Sequence, residues 1–249
     1  MEERNILILG DIHGEFELLR KSIDKKQISD VIIIQVGDFG IGFYDKHKDQ
    51  HKLHTLNNFF IEKNIEMYVI RGNHDDPSYF NGDHNYSNLK LLKDYIELNI
   101  NGFNFLFIGG AISIDRQYRL AEQIQYGKRP SFWFDEKFNL DIDKVENIEN
   151  IDVVITHTAP NICHPNNDNG YPPIVLNYTY ADNTLLDDLE EERNNMDILL
   201  DRLKIKNNIK KWYYGHFHTR KTEIIDNIEF NLVDVFEFRE FLSYKDLYN

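Results

Sequence analysis

Short apolar runs alternate with amphipathic segments in the first part of the chain. Asn5–Leu9, Val31–Val36 and Met67–Ile70 are apolar runs that stop at, or one residue before, a glycine, and they are predicted to be buried strands. Between them, Glu15–Gln27 and His47–Lys63 place their apolar residues at helical spacing. This order is typical of right-handed crossover units, so a mainly parallel sheet is expected.

The pattern changes in the second part of the chain. Two hairpins are predicted, with turns at Asn101-Gly102 and Asp226-Asn227 between apolar runs. Asp152–Thr156 and Trp212–Tyr214 are predicted strands, and Thr184–Leu203 is a predicted helix. We therefore expect an α/β fold in which hairpins follow the crossover units.

Length and composition indicate one globular domain. The chain has 249 residues, 41% of them hydrophobic and 28% charged, and we expect residues 1–249 to form a single domain. An Asn- and Pro-rich stretch at about 160–183 is expected to be an irregular insertion. No signal peptide is recognised, and no run reaches the roughly 20 apolar residues of a membrane span. Cys163 is the single cysteine, which favours the reducing cytoplasm.

The chain is acidic. It has 28 Lys and Arg against 42 Asp and Glu, a net charge of −14, which argues against a broad nucleic-acid-binding face. An anionic substrate is still compatible, because bound cations reverse the local sign. The acidic run 187–192 is interpreted as a solvated helix face, with docking of a basic partner as the alternative.

Metal-binding residue types follow the predicted strands. In a parallel sheet the carboxyl ends of the strands lie along one edge, where ligands bind, so distant segments can converge there. Two pairs, Asp11 with His13 and His216 with His218, are spaced i, i+2, which would point both side chains of a pair the same way in extended backbone. The candidates are Asp11, His13, Asp38, Asn73, His157, His216 and His218.

This donor set suits two divalent transition metal ions. It contains oxygen and nitrogen donors without thiolate, which favours Mn, Fe or Zn over Ca or Mg. Seven donors are too many for one catalytic ion with an open position, but they suit two ions that share a carboxylate. Such a pair, about 3.5–4 Å apart, fits in-line displacement at phosphorus by a metal-bound hydroxide.

The same residues resemble the five motifs of calcineurin-like metallophosphoesterases, in order and between residues 10 and 218. The motifs are Gly10-Asp11-Ile12-His13-Gly14, Gly37-Asp38, Gly72-Asn73-His74-Asp75, Thr156-His157 and Gly215-His216-Phe217-His218. The resemblance implies a metallophosphoesterase-type sandwich of two mixed β-sheets flanked by helices, with a dimetal site at one edge.

The resemblance also implies a role for each motif residue. One metal would take Asp11, His13, Asp38 and His218. The other would take Asp38, Asn73, His157 and His216, with Asp38 bridging. His74 would be the acid that protonates the leaving oxygen, and Asp75 would orient it. Arg71 stands where the phosphoprotein phosphatase branch has an arginine that contacts phosphate. Manganese is the favoured metal.

Departures from the family pattern leave the substrate open. Phosphoprotein phosphatases usually continue Gly-Asp with Val-Asp-Arg-Gly, whereas Asp38 is followed by Phe39-Gly40-Ile41-Gly42-Phe43. The resemblance therefore implies a phosphoric ester hydrolase, first of all a phosphomonoesterase, with Ser/Thr protein phosphatase as one form. The alternatives are a phosphodiesterase, nuclease or nucleotide pyrophosphatase, and last a non-catalytic interaction module. The expected partner is a phosphorylated small molecule, nucleotide or phosphoprotein.

A basic cluster in Asp115–Pro130 is the remaining candidate for substrate binding. It contains Arg116, Arg119, Lys128 and Arg129, and we hypothesise that Arg116 or Arg119 faces the metal cleft and binds substrate with Arg71 and Asn73. An ordinary surface helix with salt bridges is the alternative.

Two groups of residues are expected to have no role in metal or nucleobase binding. The ring-bearing residues expected in the core or the cleft wall are Tyr126, Phe132, Trp133 and Phe134. His47, His51 and His54 share one helical face without a matching carboxylate motif, so solvent exposure is favoured over a metal site.

Overall fold

The protein is a sandwich of two mixed sheets flanked by helices. The computed structural model describes residues 4–84, 86–127, 131–166 and 170–241. The strands are β1 (Asn5–Leu9), β2 (Val31–Gln35), β3 (Glu66–Val69), β4 (Leu89–Leu91), β5 (Ile96–Ile100), β6 (Phe103–Ile108), β7 (Val153–Thr156), β8 (Lys211–Tyr214), β9 (Lys221–Ile225), β10 (Ile228–Leu232) and β11 (Phe238–Glu240). The helices are α1 (Phe16–Lys25), α2 (Lys46–Glu62), α3 (Arg116–Tyr126), α4 (Ile142–Val145), α5 (Pro173–Tyr178) and α6 (Leu185–Lys206). Lys128 and Arg129 of the basic cluster lie outside the described residues.

The strand order brings sequence-distant strands side by side. The first sheet has the order β11-β1-β2-β3-β4, in which β1 to β4 are parallel and β11 is antiparallel. The second has the order β5-β6-β7-β8-β10-β9, with a parallel centre and an antiparallel strand at each edge. The two-sheet α/β sandwich that the resemblance implied is confirmed.

Central strands such as β2 and β8 are buried on both faces because their side chains alternate between the core that lies between the sheets and a core under the helices. In β2, Ile32 and Ile34 pack between the sheets, whereas Ile33 packs under α1 and α2. In β8, Tyr213 faces the other sheet, whereas Trp212 packs on the α6 side. Continuous apolar runs of this kind are typical of parallel strands covered on both sides.

Several expectations about elements and burial need correction. The strands β4 and β11 have three residues each, too few to give a pattern in the sequence, and were not predicted. The 160–183 stretch is not wholly irregular, because it contains α5, which begins at Pro173, where the missing N–H costs nothing. Tyr126 and Phe134 are exposed, at 63% and 80%, so neither is in the core. They lie in and after α3, which has no buried residue.

Other expectations of exposure hold in part. His47, His51 and His54 are exposed on α2, as predicted. Of the acidic residues in the run 187–192, Glu192 is buried and Asp188 pairs with Arg116, whereas the others are exposed. None of the helices in the described ranges is long and apolar enough to span a membrane.

Candidate metal centre

The ends of five strands meet at one end of the sandwich. β1, β2 and β3 come from the first sheet, and β7 and β8 come from the second. The residues just beyond them converge into one group, which we call the donor cluster. It comprises all seven candidate ligands: Asp11, His13, Asp38, Asn73, His157, His216 and His218.

One half of the donor cluster lies toward solvent. Asp11, His13, Asp38 and His218 can each offer an atom within 4.8 Å of the others. The Nε2 atoms of His13 and His218 are 2.9 Å apart, and the His218 Nε2 atom is 3.4 Å from Asp11 Oδ2. His13 Nδ1 is 3.8 Å from Asp38 Oδ2. Two imidazole nitrogens and two carboxylates thus point at one small volume.

The other half is deeper and shares Asp38. Asp38, His157 and His216 form the second group of converging donors. His157 Nε2 lies 3.1 Å from Asp38 Oδ1 and 3.1 Å from Asn73 Oδ1. His157 donates its Nδ1–H to the Val36 carbonyl at 2.7 Å, which turns Nε2 toward the cluster. A backbone partner of this kind is what orients metal-ligating histidines.

The backbone is strained at the donor cluster. His13, Asp38, His216 and His218 have left-handed φ angles of 46°, 54°, 69° and 47°. Left-handed φ is uncommon outside glycine, costs about 1–3 kcal/mol per residue and concentrates at functional sites. The i, i+2 pairs therefore do not converge through extended backbone, as the spacing suggested, but through tight turns.

Two glycines let the chain approach the donors closely. A Cβ at Gly72 would overlap the Asp38 carboxylate and would lie 2.7 Å from His157 Nε2. A Cβ at Gly215 would overlap Asp11 Oδ1 and lie 2.8 Å from Val36 Cγ2. Any larger residue would push the donors apart.

Buried negative charge dominates the electrostatics of the donor cluster. Asp11 and Asp38 are each 1% exposed, and among the described residues their ion-pair partners are histidines only. Burial raises the pKa of Asp11. Burial alone would lower the pKa of His157, but the carboxylates of Asp38 and Asp11 raise it to about 9. The proton on His157 thus offsets part of the buried negative charge.

The donor set fits divalent metal ions. Two carboxylates, four imidazoles and one amide converge, and buried charges of this kind need a compensating cation. The two groups match the two sets that the resemblance implied, and Asp38 belongs to both. Two ions sharing one carboxylate are therefore compatible with the residues present.

A network that the sequence did not reveal orients Asn73. Asn73 donates through Nδ2 to the Ser113 hydroxyl at 3.0 Å, which leaves Oδ1 facing His157. Ser113 in turn donates its backbone N–H to the buried carboxylate of Glu136 at 2.8 Å. Burial raises the pKa of Glu136 to about 8. Ser113 lies in the segment that follows β6, and this place after a strand is the only sequence signal that could have drawn attention to it.

His74 lies at the edge of the donor cluster beside Arg119. Its ring is edge-on to His13, with the ring centres 4.8 Å apart. Arg119 donates from Nη2 to His74 Nε2 at 2.7 Å, and its Nε pairs with Asp115 at 2.8 Å. Burial lowers the pKa of His74 to about 4, with Arg119 contributing. Arg119 therefore faces the cleft, as hypothesised.

The Asp75 carboxylate accepts hydrogen bonds from the backbone of the loop after Asp38, and not from the His74 ring. Its carboxylate accepts the backbone N–H groups of Phe39, Gly40, Ile41 and Gly72 at 2.7–3.1 Å. The loop that follows Asp38 is thereby fixed. The expectation that Asp75 orients the His74 ring is corrected, because its hydrogen bonds go to the backbone.

Two arginines expected at the substrate lie elsewhere. Arg71 is 6% exposed, and its guanidinium pairs with Asp94 at 2.8 Å and donates to the Glu136 and Lys137 carbonyls. Arg116 pairs with Asp182 and Asp188. Both guanidinium groups are bound to partners outside the donor cluster. We therefore no longer expect Arg71 to contact phosphate or Arg116 to contact substrate.

The sequence matches a known family, and its fold matches solved structures. A family model described as calcineurin-like phosphoesterase matches residues 4–220. No curated protein matches the chain. A dimetal phosphatase from Danio rerio is 13% identical, with a TM-score of 0.51 over 93% of this chain and 87% of that one. A Thermus thermophilus protein (13% identity, TM-score 0.48, 94% and 91% covered) and a phosphopantetheinyl hydrolase from Mycobacterium tuberculosis (12%, 0.47, 96% and 96%) are also similar.

Proposed function

Because the chain belongs to the calcineurin-like phosphoesterase family, we propose that it hydrolyses phosphate monoesters with two divalent metal ions held by the donor cluster. The observation that carries this proposal is the sharing of Asp38 by two groups of converging donors. One ion would be held by Asp11, His13, Asp38 and His218. The other would be held by Asp38, Asn73, His157 and His216.

The residues around the donor cluster account for the rest of the reaction. Divalent cations supply positive charge for the phosphate oxygens and lower the pKa of an attacking water. Water oxygen bonds to phosphorus, the ester P–O bond breaks, and the leaving oxygen takes a proton. His74 is the donor of that proton in this proposal, since it borders the donor cluster. The negative charge of a bound phosphate favours the protonated ring, and protonation of His74 Nε2 breaks its contact with Arg119, whose N–H group then turns to the phosphate.

The preference for a monoester rests on charge. A monoester dianion carries one more negative charge than a diester near neutral pH, and Arg119 adds a positive charge next to His74. The guanidinium is held in place by Asp115 and by the Ser131 carbonyl, which accepts from Nη1 at 3.1 Å. A fixed cation beside the donor cluster favours the more highly charged ester.

Manganese is the metal that we favour. The mixture of imidazole, carboxylate and amide donors suits first-row transition metals, and thiolate donors, which favour zinc, are absent from the donor cluster. Iron and zinc are the alternatives within the same donor chemistry.

A direct comparison of two esters tests the function. We expect the purified protein, stripped of metal and reloaded with Mn²⁺, to hydrolyse p-nitrophenyl phosphate with a kcat/KM at least about tenfold above that for bis(p-nitrophenyl) phosphate. The metal-stripped protein should be inactive toward both. A higher kcat/KM for the diester would contradict the monoester assignment, and equal activity with and without metal would contradict the metal mechanism.

A further inference from the structure

A cleft of about 440 Å³ opens beside the donor cluster. Asp38, Asn73, His74, His216 and His218 form one side of it. The other side comes from the 160–183 insertion and α6, and includes Tyr171, Pro172, Val175, Tyr178, Leu189 and Arg193. A mainly apolar cleft of this volume with a few polar groups is typical of a small-molecule site. The leaving group of a phosphate ester in the donor cluster would lie against this second side.

Arg193 is a cation of this wall whose guanidinium stacks on a tyrosine ring. Glu190 and Asp197 stand at positions i−3 and i+4 on α6, from which helical ion pairs form. Arg193 nevertheless makes no ion pair or hydrogen bond with any residue that the structure describes. Its guanidinium instead lies 4.7 Å from the centre of the Tyr171 ring. Arg116 and Arg119, by contrast, are both paired with carboxylates.

His164 adds a hydrogen-bond donor to the same cleft. Its Nδ1 accepts the backbone N–H of Asn166 at 3.1 Å, so the neutral ring carries its proton on Nε2. The ring is 6% exposed and packs edge-on against Phe217, with the ring centres 4.6 Å apart. Burial, with the nearby charge of Arg193, lowers the pKa of His164 to about 3. The Nε2–H has no acceptor among the described residues.

We infer that Arg193, stacked on Tyr171, and the Nε2–H of His164 form a subsite for a second anionic group of the substrate. The substrate is then a small organic phosphate whose leaving group carries a carboxylate or a further phosphoryl group. A guanidinium stacked on a ring keeps its N–H edge available for bidentate bonds to such a group. Glu190 and Glu192 attract this guanidinium electrostatically, but neither forms an ion pair with it. In a chain of net charge −14, a half-buried cation that has no ion pair within the described residues suits an external anion. This inference rests on the proposed function.

Matched esters test the subsite. The anionic probes are 4-carboxyphenyl phosphate, its homologues with one or two methylenes before the carboxylate, and 4-(phosphonomethyl)phenyl phosphate. The neutral counterparts are the carbamoyl compound for each carboxylate and 4-ethylphenyl phosphate for the phosphonate. For at least one anionic probe, the Mn²⁺-loaded protein should show a kcat/KM about ten- to a hundredfold above that of the neutral counterpart. The length that gives the largest ratio measures the reach of the subsite. A ratio near one for every probe would overturn the inference.

Variants of Arg193 test whether this residue causes the preference for anionic over neutral probes. Arg193→Gln should bring the anionic-to-neutral ratio close to one, whereas Arg193→Lys should keep part of it. The matched control is Arg202→Gln on the same helix, where the side chain is 49% exposed and lies 3.6 Å from Glu146, and it should keep the full ratio. The ratio is internal to each variant, so a change in folded fraction does not affect it. An unchanged ratio in Arg193→Gln would contradict the assignment.

A binding measurement separates this inference from the proposed function. 4-Carboxybenzylphosphonate and 4-carbamoylbenzylphosphonate cannot be hydrolysed, and calorimetry on the Mn²⁺-loaded protein should find the carboxylate bound about tenfold or more tightly. If no ester is hydrolysed but this difference is found and is lost in Arg193→Gln, the hydrolase proposal fails and the subsite is supported. If the esters are hydrolysed without discrimination and both phosphonates bind equally, the subsite fails alone.

Discussion

Replacing Asp38 by Asn is expected to lower kcat/KM for a phosphate monoester roughly a thousandfold, because metal ions supply several kcal/mol of transition-state stabilisation. Asn has the same shape as Asp. Its Oδ1 can still accept the hydrogen bond that the backbone N–H of His74 donates to Asp38 Oδ1 at 2.7 Å. The substitution therefore removes one negative charge from both donor groups with little steric change. Phosphate release with Mn²⁺ added over a wide concentration range measures the effect.

A second buried aspartate provides the control for this substitution. Asp49 on α2 is also 1% exposed, and it accepts a hydrogen bond from Tyr79 away from the donor cluster. Asp49→Asn should keep kcat/KM within a few-fold of the wild type. An Asp38→Asn protein that regains full activity with excess Mn²⁺ would contradict the shared position of Asp38.

Replacing His74 by Asn is expected to lower kcat by about 10²–10⁴-fold while both metal ions still bind, because a proton donor contributes that much to the rate. His74 borders the donor cluster and belongs to neither group of converging donors. The loss should be smaller for esters whose leaving oxygen is acidic, such as p-nitrophenyl phosphate, than for alkyl phosphates. Single-turnover rates and the metal content of the same sample measure both effects.

The dependence on the leaving group is the sharpest part of this prediction. His51→Asn, at an exposed position of α2, serves as the matched histidine control and should change neither kcat nor metal content. Equal losses for aryl and alkyl esters in His74→Asn would show that His74 does not protonate the leaving oxygen. Loss of a metal ion in this variant would show that it acts as a ligand.

The central strands and the position of the donor cluster could be predicted from local patterns, whereas the two-sheet sandwich was implied only by the resemblance to calcineurin-like metallophosphoesterases. Buried runs such as Val31–Val36 mark the central strands, and polar residues that directly follow them must lie at strand ends. The sequence alone therefore places Asp11, Asp38, Asn73, His157 and His216 at strand ends along one sheet edge. The structure brings them together there.

The direction of the arginine side chains could not be predicted. Arg71 occupies a motif position, but its guanidinium turns toward Asp94, a partner that only the tertiary structure brings near. Arg116 and Arg119 are three residues apart on α3, yet one pairs with Asp182 and the other contacts His74. A sequence motif predicts where the backbone of an arginine lies. The direction of its long side chain depends on the charged residues that the tertiary structure places around it.

Contacts contributed by the insertion and by neighbouring strands were also beyond the sequence pattern. Ser113 and Glu136 orient Asn73 although they are 40 residues or more away from it in the chain. Arg193 stands within an acidic helix, where an ion pair would be the ordinary expectation. Only the packing of α6 against the cleft shows that Arg193 lines it.

The location of bound metal tests the central claim most directly. A crystal of the protein loaded with Mn²⁺, measured at the manganese absorption edge, should show two anomalous peaks, one on each side of the Asp38 carboxylate. One should lie among Asp11, His13 and His218, and the other among Asn73, His157 and His216. A single peak, or two peaks that do not share Asp38, would contradict the account.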